Sequence, residues 1–112
     1  MVQYLPRLDR AFAALSDATR RGILERLGER DASITELAER FGMTLTGMKK
    51  HVQVLEEAGL VATEKVGRVR TCRLGPRRLD DEMTWIESYR AMLEERMDRL
   101  GVFLERTKGE DA

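Results

Sequence analysis

Residues 33–74 contain the elements that determine the fold, and their sequence is SITELAERFGMTLTGMKKHVQVLEEAGLVATEKVGRVRTCRL. It begins with the signature of a short helix, because Ser33 is followed three residues later by Glu36, which is the spacing of a capping box. The apolar positions of this helix are spaced to face one side: Ile34, Leu37, Ala38 and Phe41. Gly42 is expected to end it.

A second helix follows after a tight turn, with Thr44 as its predicted N-cap and Gly59 at its end. Its apolar residues recur at steps of three and four, and we expect all of them in the core: Leu45, Met48, Val52 and Leu55. Leu60 to Val66 and Val69 to Leu74 then read as two strands joined at Gly67. Two helices, a turn and a hairpin in this order predict a winged helix-turn-helix, with the helix-turn-helix at 33–58 and the wing at 60–74.

Further helices are predicted on both sides of this stretch. Apolar spacing indicates an amphipathic helix over 5–15, and Ser16 or Asp17 can cap a second helix that ends near Gly28. The expected inner face of that second helix is Ala18, Ile23, Leu24 and Leu27. Pro76 breaks the last strand, and one long helical pattern covers 79–107. The fold class is therefore mainly α with a small β-hairpin, about five helices in one domain over 1–112.

Length and composition exclude several classes of protein. A chain of 112 residues supports one core with little room for a separate catalytic domain, and it has neither a nucleophile with a base partner nor a phosphate-binding glycine loop. We therefore expect no enzyme and no cofactor. No apolar stretch approaches the roughly 20 residues of a membrane helix, and the N-terminus lacks the apolar centre of a signal peptide. The single cysteine, Cys72, fits a reducing compartment, so we expect a cytoplasmic protein.

The formal net charge is zero, but the charge is unevenly distributed along the chain. Residues 1–43 carry 7 basic and 7 acidic side chains, residues 44–78 carry 8 basic and 3 acidic, and residues 79–112 carry 5 basic and 10 acidic. The cationic segment coincides with the second helix of the helix-turn-helix and the wing. This distribution favours a nucleic-acid partner, and we expect double-stranded DNA.

On a helical wheel, one side of the helix that Thr44 caps is polar. Thr46, Gly47, Lys50 and Gln53 lie opposite its apolar stripe, with Thr44 and Lys49 beside them near the N-terminal end. Lysine and glutamine can pair with base edges, and threonine can contact phosphate. Gly47 would let the backbone approach the groove closely. The alternative is an ordinary solvated helix face. His51 lies at the edge of the apolar stripe, where it can reach a phosphate or simply pack.

The hairpin carries four cations around the turn at Gly67: Lys65, Arg68, Arg70 and Arg73. A wing with these side chains can reach backbone phosphates or the minor groove. Alternation predicts Arg68 and Arg70 on one face and Val69 on the other. The alternative is a charged edge strand whose cations prevent aggregation.

The predicted last helix has more apolar surface than one small domain can cover. One stripe repeats at near-heptad spacing: Leu79, Met83, Ile86, Leu93, Met97, Leu100 and Leu104. We expect a homodimer formed by the first and last helices. Its predicted interface residues are Leu5, Leu8, Phe12, Trp85, Tyr89, Met92, Leu93, Leu100 and Phe103. Intramolecular packing of the same residues is the alternative.

Three segments resemble the ArsR/SmtB family of bacterial winged-helix repressors. LDRAFAALSDATRRGILERL resembles the opening of the family, and HVQVLEEAGLVATEKVGRVRTCRL resembles its recognition-helix end and wing. WIESYRAMLEERMDRLGVFLE is similar to the C-terminal helix of a metal-independent branch. The resemblance implies a homodimer that blocks promoters, often its own, and releases DNA when an effector binds. The two-fold symmetry of such a dimer predicts an inverted-repeat operator.

The sequence departs from the metal-sensing members of that family. Where their third helix has a pair of cysteines, this chain has Thr35, Glu36, Leu37 and Ala38, and its last helix has no histidine. The carboxylates Asp80, Asp81 and Glu82 bind transition metals weakly on their own and suit a helix N-terminus. We expect no metal site.

Other functions stay open at this point. A protein-interaction module built on the same dimer, and a repressor that senses an unidentified small molecule, are the alternatives. Trp85 and Tyr89 can line a small-molecule pocket, and Cys72 is the candidate for a redox switch.

Overall fold

A computed structural model describes the backbone of residues 5–111 and the side chains of residues 6–107. Within these residues the chain forms α1 (Leu5–Leu15), α2 (Ala18–Glu29), β1 (Ala32–Ser33), α3 (Ile34–Arg40), α4 (Leu45–Glu57), β2 (Val61–Val66), β3 (Val69–Leu74) and α5 (Asp80–Asp111). The five predicted helices and the hairpin are confirmed. The winged helix-turn-helix architecture is therefore confirmed as well.

Three predicted N-caps are present and each accepts a backbone hydrogen bond in the first turn of its helix. Asp17 caps α2 by accepting from the Arg20 N–H at 3.0 Å. Ser33 caps α3 by accepting from the Glu36 N–H at 3.1 Å, and Thr44 caps α4 by accepting from the Gly47 N–H at 3.0 Å. These local signals set where the helices begin.

The sheet contains a strand that the sequence did not reveal. β1 pairs antiparallel with β3, with Ala32 opposite Cys72 and Ser33 opposite Thr71, so the strand order is β1-β3-β2. A two-residue strand has no periodicity of its own, and it exists only because β3 lies beside it. It connects the start of α3 to the base of the wing.

The core of α1 to α4 and the sheet is formed by one apolar cluster. Its fully buried members include Ile23, Leu37, Met48, Leu55 and Cys72. Two core predictions are wrong: Leu45 is 44% exposed and Ala18 is exposed. Each is the first residue of its helix, and the first turn extends beyond the elements on which the rest of the helix packs.

Positive backbone φ angles mark the ends of two elements. Gly59 follows α4 with a φ of 77°, in the left-handed region where glycine has no Cβ penalty. Leu79 has a φ of 61°, which no helical residue adopts, so α5 begins at Asp80 and not at Leu79 as predicted. The helix also continues to Asp111, four residues beyond the predicted end at Thr107.

The described contacts group into two compact units that divide between Leu79 and Asp80. The second unit is α5, a helix with Asp80, Asp81 and Glu82 in its first turn. Its large apolar side chains between Met83 and Leu104 are between 41% and 65% exposed. Ion pairs link Arg90 with Glu94 and Glu95 with Arg99 along the helix. No helix of the described chain is long and apolar enough to cross a membrane.

Candidate nucleic-acid interface

The N-terminal half of α4 presents a polar surface, as the sequence predicted. Met48, Val52 and Leu55 are buried on the opposite side. The predicted contact residues that are exposed on the helix are Thr46, Lys49, Lys50 and Gln53, and Thr44 is exposed at its cap. The Thr44 hydroxyl accepts the Gly47 N–H, and a hydroxyl in that role can still donate its own hydrogen. The helix therefore offers cationic, amide and hydroxyl donors on one side.

Gly47 has an explanation within the chain itself. A Cβ at this position would lie 3.1 Å from Thr44 Oγ1 and 3.3 Å from Met43 Cε, which is tighter than ordinary contact. The absent side chain therefore leaves room for the N-cap of α4. Close approach of DNA to the backbone at Gly47 stays a prediction.

Gln53 is already engaged on α4. Its Nε2 donates to Glu57 Oε1 at 3.3 Å, one helical turn away. Both side chains are exposed, so water competes for this hydrogen bond and its net contribution is small. A base contact by Gln53 would require the amide to leave Glu57.

The register of the wing assigns its cations to different faces. Lys65 pairs with Arg70, and Thr63 pairs with Cys72, so all four side chains share the face of the buried cysteine. Arg68 lies in the two-residue turn with Gly67, so strand alternation does not determine its direction. Strand alternation therefore does not support the prediction that Arg68 and Arg70 lie on one face. Arg73 lies on the other face and pairs with Glu64 at 3.4 Å.

Arg70 is connected to α4 through a chain of two hydrogen bonds. Its Nη1 donates to Thr63 Oγ1 at 2.9 Å, and the Thr63 hydroxyl donates to Glu56 Oε2 at 2.6 Å. These contacts join β3, β2 and the C-terminal half of α4. The sequence analysis missed Thr63 and Glu56, which no short motif distinguishes.

A groove of about 570 Å³ lies between the start of the helix-turn-helix and the wing. Four of the predicted DNA-contacting cations line it: Lys49, Lys65, Arg68 and Arg70. The other lining residues are Ser33, Ile34, Thr35, Leu45 and Val69, so none of the residues that line this part of the described chain carries a carboxylate. We call this feature the cationic groove. Its charges concentrate a positive potential where α4 begins, which suits a polyanion.

His51 is placed away from that groove, in a polar cluster with the N-terminus of α2. His51 Nδ1 is 3.2 Å from Arg20 Nη1 and 3.9 Å from Asp17 Oδ2. The hydrogen bond from the Arg20 backbone N–H, together with the charge of Arg20, lowers the pKa of Asp17 below its ordinary value. The sequence analysis found Asp17 as a cap but missed Arg20, whose partners are 6 to 31 residues away.

Comparison with known proteins agrees with this geometry. A family model described as a helix-turn-helix domain matches residues 15–64. The crystal structure of an ArsR family transcriptional regulator, RHA00566, is 39% identical, with 88% of this chain and 97% of that chain covered and a TM-score of 0.67. This chain belongs to the ArsR family of transcriptional regulators.

Two curated relatives are also similar to this ArsR-family chain. The HTH-type transcriptional regulator Rv2034 of Mycobacterium tuberculosis is 38% identical over 68 residues, which is 61% of this chain. The match spans 64% of the length of Rv2034. The transcriptional repressor SdpR of Bacillus subtilis is 27% identical over 82 residues, with 73% of this chain and 91% of SdpR covered.

Cys72 has the properties of a packing residue in this ArsR-family chain. Its side chain is fully buried, and burial, with a smaller effect of the Glu56 charge, raises the pKa of the thiol to about 11. Arg70 opposes this shift weakly. A thiol with such a pKa is protonated at neutral pH and reacts slowly, because the thiolate is the nucleophile. Over the described residues, no cluster of three or more histidine, cysteine or carboxylate side chains could hold a metal ion.

The predicted interface residues on α5 and α1 differ in exposure. On α5 the apolar side chains are open in the single chain, and the rings of Trp85 and Tyr89 stack with centroids 5.5 Å apart and an interplanar angle of 4°. On α1, Leu8 is 9% exposed and Phe12 is half-buried, so Leu8 has little surface left to offer a second copy. The side chain of Leu5 lies outside the described residues.

Proposed function

We propose that this regulator is a homodimeric transcriptional repressor that binds an inverted-repeat operator, including one in its own promoter. The observation that carries the proposal is the cationic groove, which combines the first turns of α4 with the wing and contains no acidic side chain. The similarity to SdpR, a transcriptional repressor, supports the direction of regulation.

The N-terminal half of α4 enters the major groove in this proposal. Lys49 and Lys50 lie at this end and can donate to guanine O6 and N7 or to phosphates. Arg68 at the wing tip and Arg70 beside it then contact the backbone next to the site or the adjacent minor groove. The helix supplies sequence preference, and the wing supplies affinity that does not depend on sequence.

A dimer follows from the apolar side chains that α5 leaves exposed. Met92, Leu93, Leu100 and Phe103 are each between 43% and 60% exposed, and an exposed apolar stripe of this length marks an interaction surface. Two-fold symmetry would place the two copies of α4 on half-sites roughly 34 to 36 Å apart, one turn of DNA. The proposed repressor does not use the usual metal sites of the family, and its effector is unidentified.

The test is protection of the upstream region of its own gene, with wild type compared against Lys50→Ala and Arg68→Ala. Arg90→Ala is the matched control, because it removes one exposed cation that belongs to α5 and to neither α4 nor the wing. We expect wild type and the control to protect an inverted repeat, and we expect the α4 variant Lys50→Ala and the wing variant Arg68→Ala to lose protection at the same concentration. Protection by all four proteins would contradict the assignment of the interface.

Absence of protection at that promoter, with binding to other DNA retained, would remove only the autoregulatory part of the proposal. Failure to bind any DNA would leave the protein-interaction module as the function of the dimer. Each outcome is read with the circular dichroism spectrum of the same sample, which shows that the variant is folded.

A further inference from the structure

Arg20 connects three helices through one planar group. Its Nε donates to the Ala14 carbonyl and its Nη2 to the Ala13 carbonyl, both at 2.9 Å, so the guanidinium caps the C-terminal end of α1. Its Nη1 lies 3.2 Å from His51 Nδ1 on α4. Hydrogen bonds to two fixed carbonyls hold the plane of the guanidinium, and therefore the direction in which Nη1 points.

This contact determines which nitrogen of His51 carries the proton. Arginine is always protonated and has only donors, so Nη1 donates and Nδ1 must accept. A neutral imidazole that accepts at Nδ1 carries its hydrogen on Nε2. Asp17 Oδ2, the other group facing this ring, is 3.9 Å from Nδ1, which is beyond hydrogen-bond distance.

The remaining donor of His51 is carried by α4, the helix that is assigned to DNA. His51 lies one helical turn after Gly47 and next to Lys50, and 22% of its side chain is accessible. A half-buried ring that is held at Nδ1 keeps its Nε2–H in one direction before DNA binds. Binding then costs no further rotamer entropy of the His51 side chain. A preorganised neutral donor of this kind suits a phosphate oxygen.

We propose that Arg20 is a positioning residue for DNA binding, which holds His51 in the Nε2–H tautomer so that this N–H donates to a backbone phosphate. The inference rests on the proposed function, because it needs DNA on this side of α4. Arg20 itself makes no DNA contact in this account, and its effect on affinity passes through His51.

The first measurement is the tautomer of His51 in the free protein, from the nitrogen chemical shifts of its imidazole above pH 7.5. We expect the Nε2–H pattern in wild type and a mixture of tautomers in Arg20→Met. His51 is the only histidine in the chain, so its signals need no assignment. An Nδ1–H pattern in wild type would overturn the proposal whether or not the protein binds DNA.

The second measurement is operator affinity in a double-mutant cycle of Arg20→Met and His51→Ala. Loss of one neutral hydrogen bond in each half-site predicts a weakening of about 10- to 100-fold for a dimer with His51→Ala. Arg20→Met should weaken binding less, because part of its His51 rings remain in the Nε2–H tautomer. We expect the Arg20 substitution to have no further effect when His51 is already alanine. An equal effect of Arg20→Met in both backgrounds would show a direct or merely structural role and contradict the proposal.

Conservative replacements of His51 separate its two nitrogens. The glutamine amide places its NH₂ near the position of Nε2, whereas the asparagine amide places it near Nδ1. We expect His51→Gln to retain most of the affinity and His51→Asn to lose it, and the reverse order would overturn the proposal.

Lys50→Ala distinguishes failure of the role of Arg20 and His51 from failure of the proposed repressor function. If Lys50→Ala abolishes binding while the Arg20 and His51 variants bind normally, only the inference about Arg20 and His51 fails. If wild type itself binds no DNA, the proposed function fails.

Discussion

At the scale of the residue, one cation of the interface, Arg70, is held by a hydroxyl neighbour that is itself bound to a carboxylate. Arg70 donates to Thr63, and Thr63 donates to Glu56, so the wing arginine is linked to α4 without direct contact between opposite charges. A hydroxyl in the middle lets the acid orient the cation while the cation stays exposed.

Removing this hydroxyl should weaken DNA binding without unfolding the wing. Thr63→Val keeps a β-branched residue in β2 but removes the acceptor for Arg70, so we expect operator affinity to fall about threefold per half-site. Thr71→Val is the matched control, since Thr71 lies on the opposite face of the hairpin. Equal affinities of the two variants, measured by fluorescence anisotropy, would show that the Thr63 hydroxyl does not position Arg70.

Asp17 should make stability depend on pH in acid. Its pKa is lowered in the folded protein, mainly by the Arg20 backbone N–H, so its carboxylate stabilises the fold above its unfolded pKa of about 3.8. That stabilisation is lost as pH falls through the lower, folded pKa. Asp17→Asn keeps a good N-cap without the charge. We expect urea unfolding to separate wild type from the variant at pH 6 and the difference to shrink as pH falls below 3.8, whereas a constant difference would contradict this role of the charge.

Cys72 should be chemically silent in the folded protein. Its thiol is buried and its pKa is about 11, so only a small fraction is ionised at pH 8. We expect iodoacetamide to modify it at pH 8 only when urea unfolds the chain, with the modified fraction following the unfolding curve by mass spectrometry. Rapid modification of the native protein would restore the redox-switch hypothesis.

At the scale of the element, glycines mark where two segments cross. A Cβ on Gly75, which follows β3, would lie 2.3 Å from the Gly59 carbonyl oxygen, and the Gly75 N–H donates to the Leu60 carbonyl at 2.9 Å. Backbone therefore packs directly on backbone where the end of α4 meets the end of the wing. Neither the Gly59 carbonyl nor the Gly75 backbone can move without displacing the end of α4 or the end of the wing.

Two glycine substitutions should have opposite effects on stability. Gly75→Ala forces the backbones apart, and we expect it to lower the free energy of unfolding by about 1 to 3 kcal/mol, as overpacking does. Gly28→Ala in α2 meets no atom within 4 Å, so we expect a gain of up to about 1 kcal/mol from helix propensity. Urea denaturation measures both, and a Gly75→Ala protein as stable as wild type would contradict the close crossing.

At the scale of the whole molecule, the features that the sequence predicts correctly are those that depend on residues close together in the chain. Caps such as Thr44 and the apolar steps of α4 act within a few residues, so helix positions and the hairpin were predictable. β1 and the contact between Arg20 and His51 depend on segments up to about 40 residues apart, and no local pattern encodes them. The same holds for Leu45, whose side chain lines the cationic groove instead of the core.

The exposed apolar side chains of α5 should make the chain dimerise. We expect sedimentation equilibrium to give twice the chain mass of 12.9 kDa for wild type. Leu100→Glu places a charge on an exposed apolar position of α5 and should yield monomers with an unchanged helix content. Ala91→Glu adds the same single charge at an exposed position on the opposite side of α5 and is the control. A Leu100→Glu dimer as stable as wild type would move the interface to another surface.

The claim that the wing contacts DNA is tested most directly by the salt dependence of operator binding by wild type and Arg68→Ala. Each phosphate contact made by a cation adds about 0.9 to the slope of log affinity against log salt, so a dimer that loses Arg68 twice should show a slope shallower by about 2. We expect this reduction, with the Arg90→Ala control unchanged. The same slope for wild type and Arg68→Ala would show that the wing does not contact DNA and would contradict the account of the cationic groove.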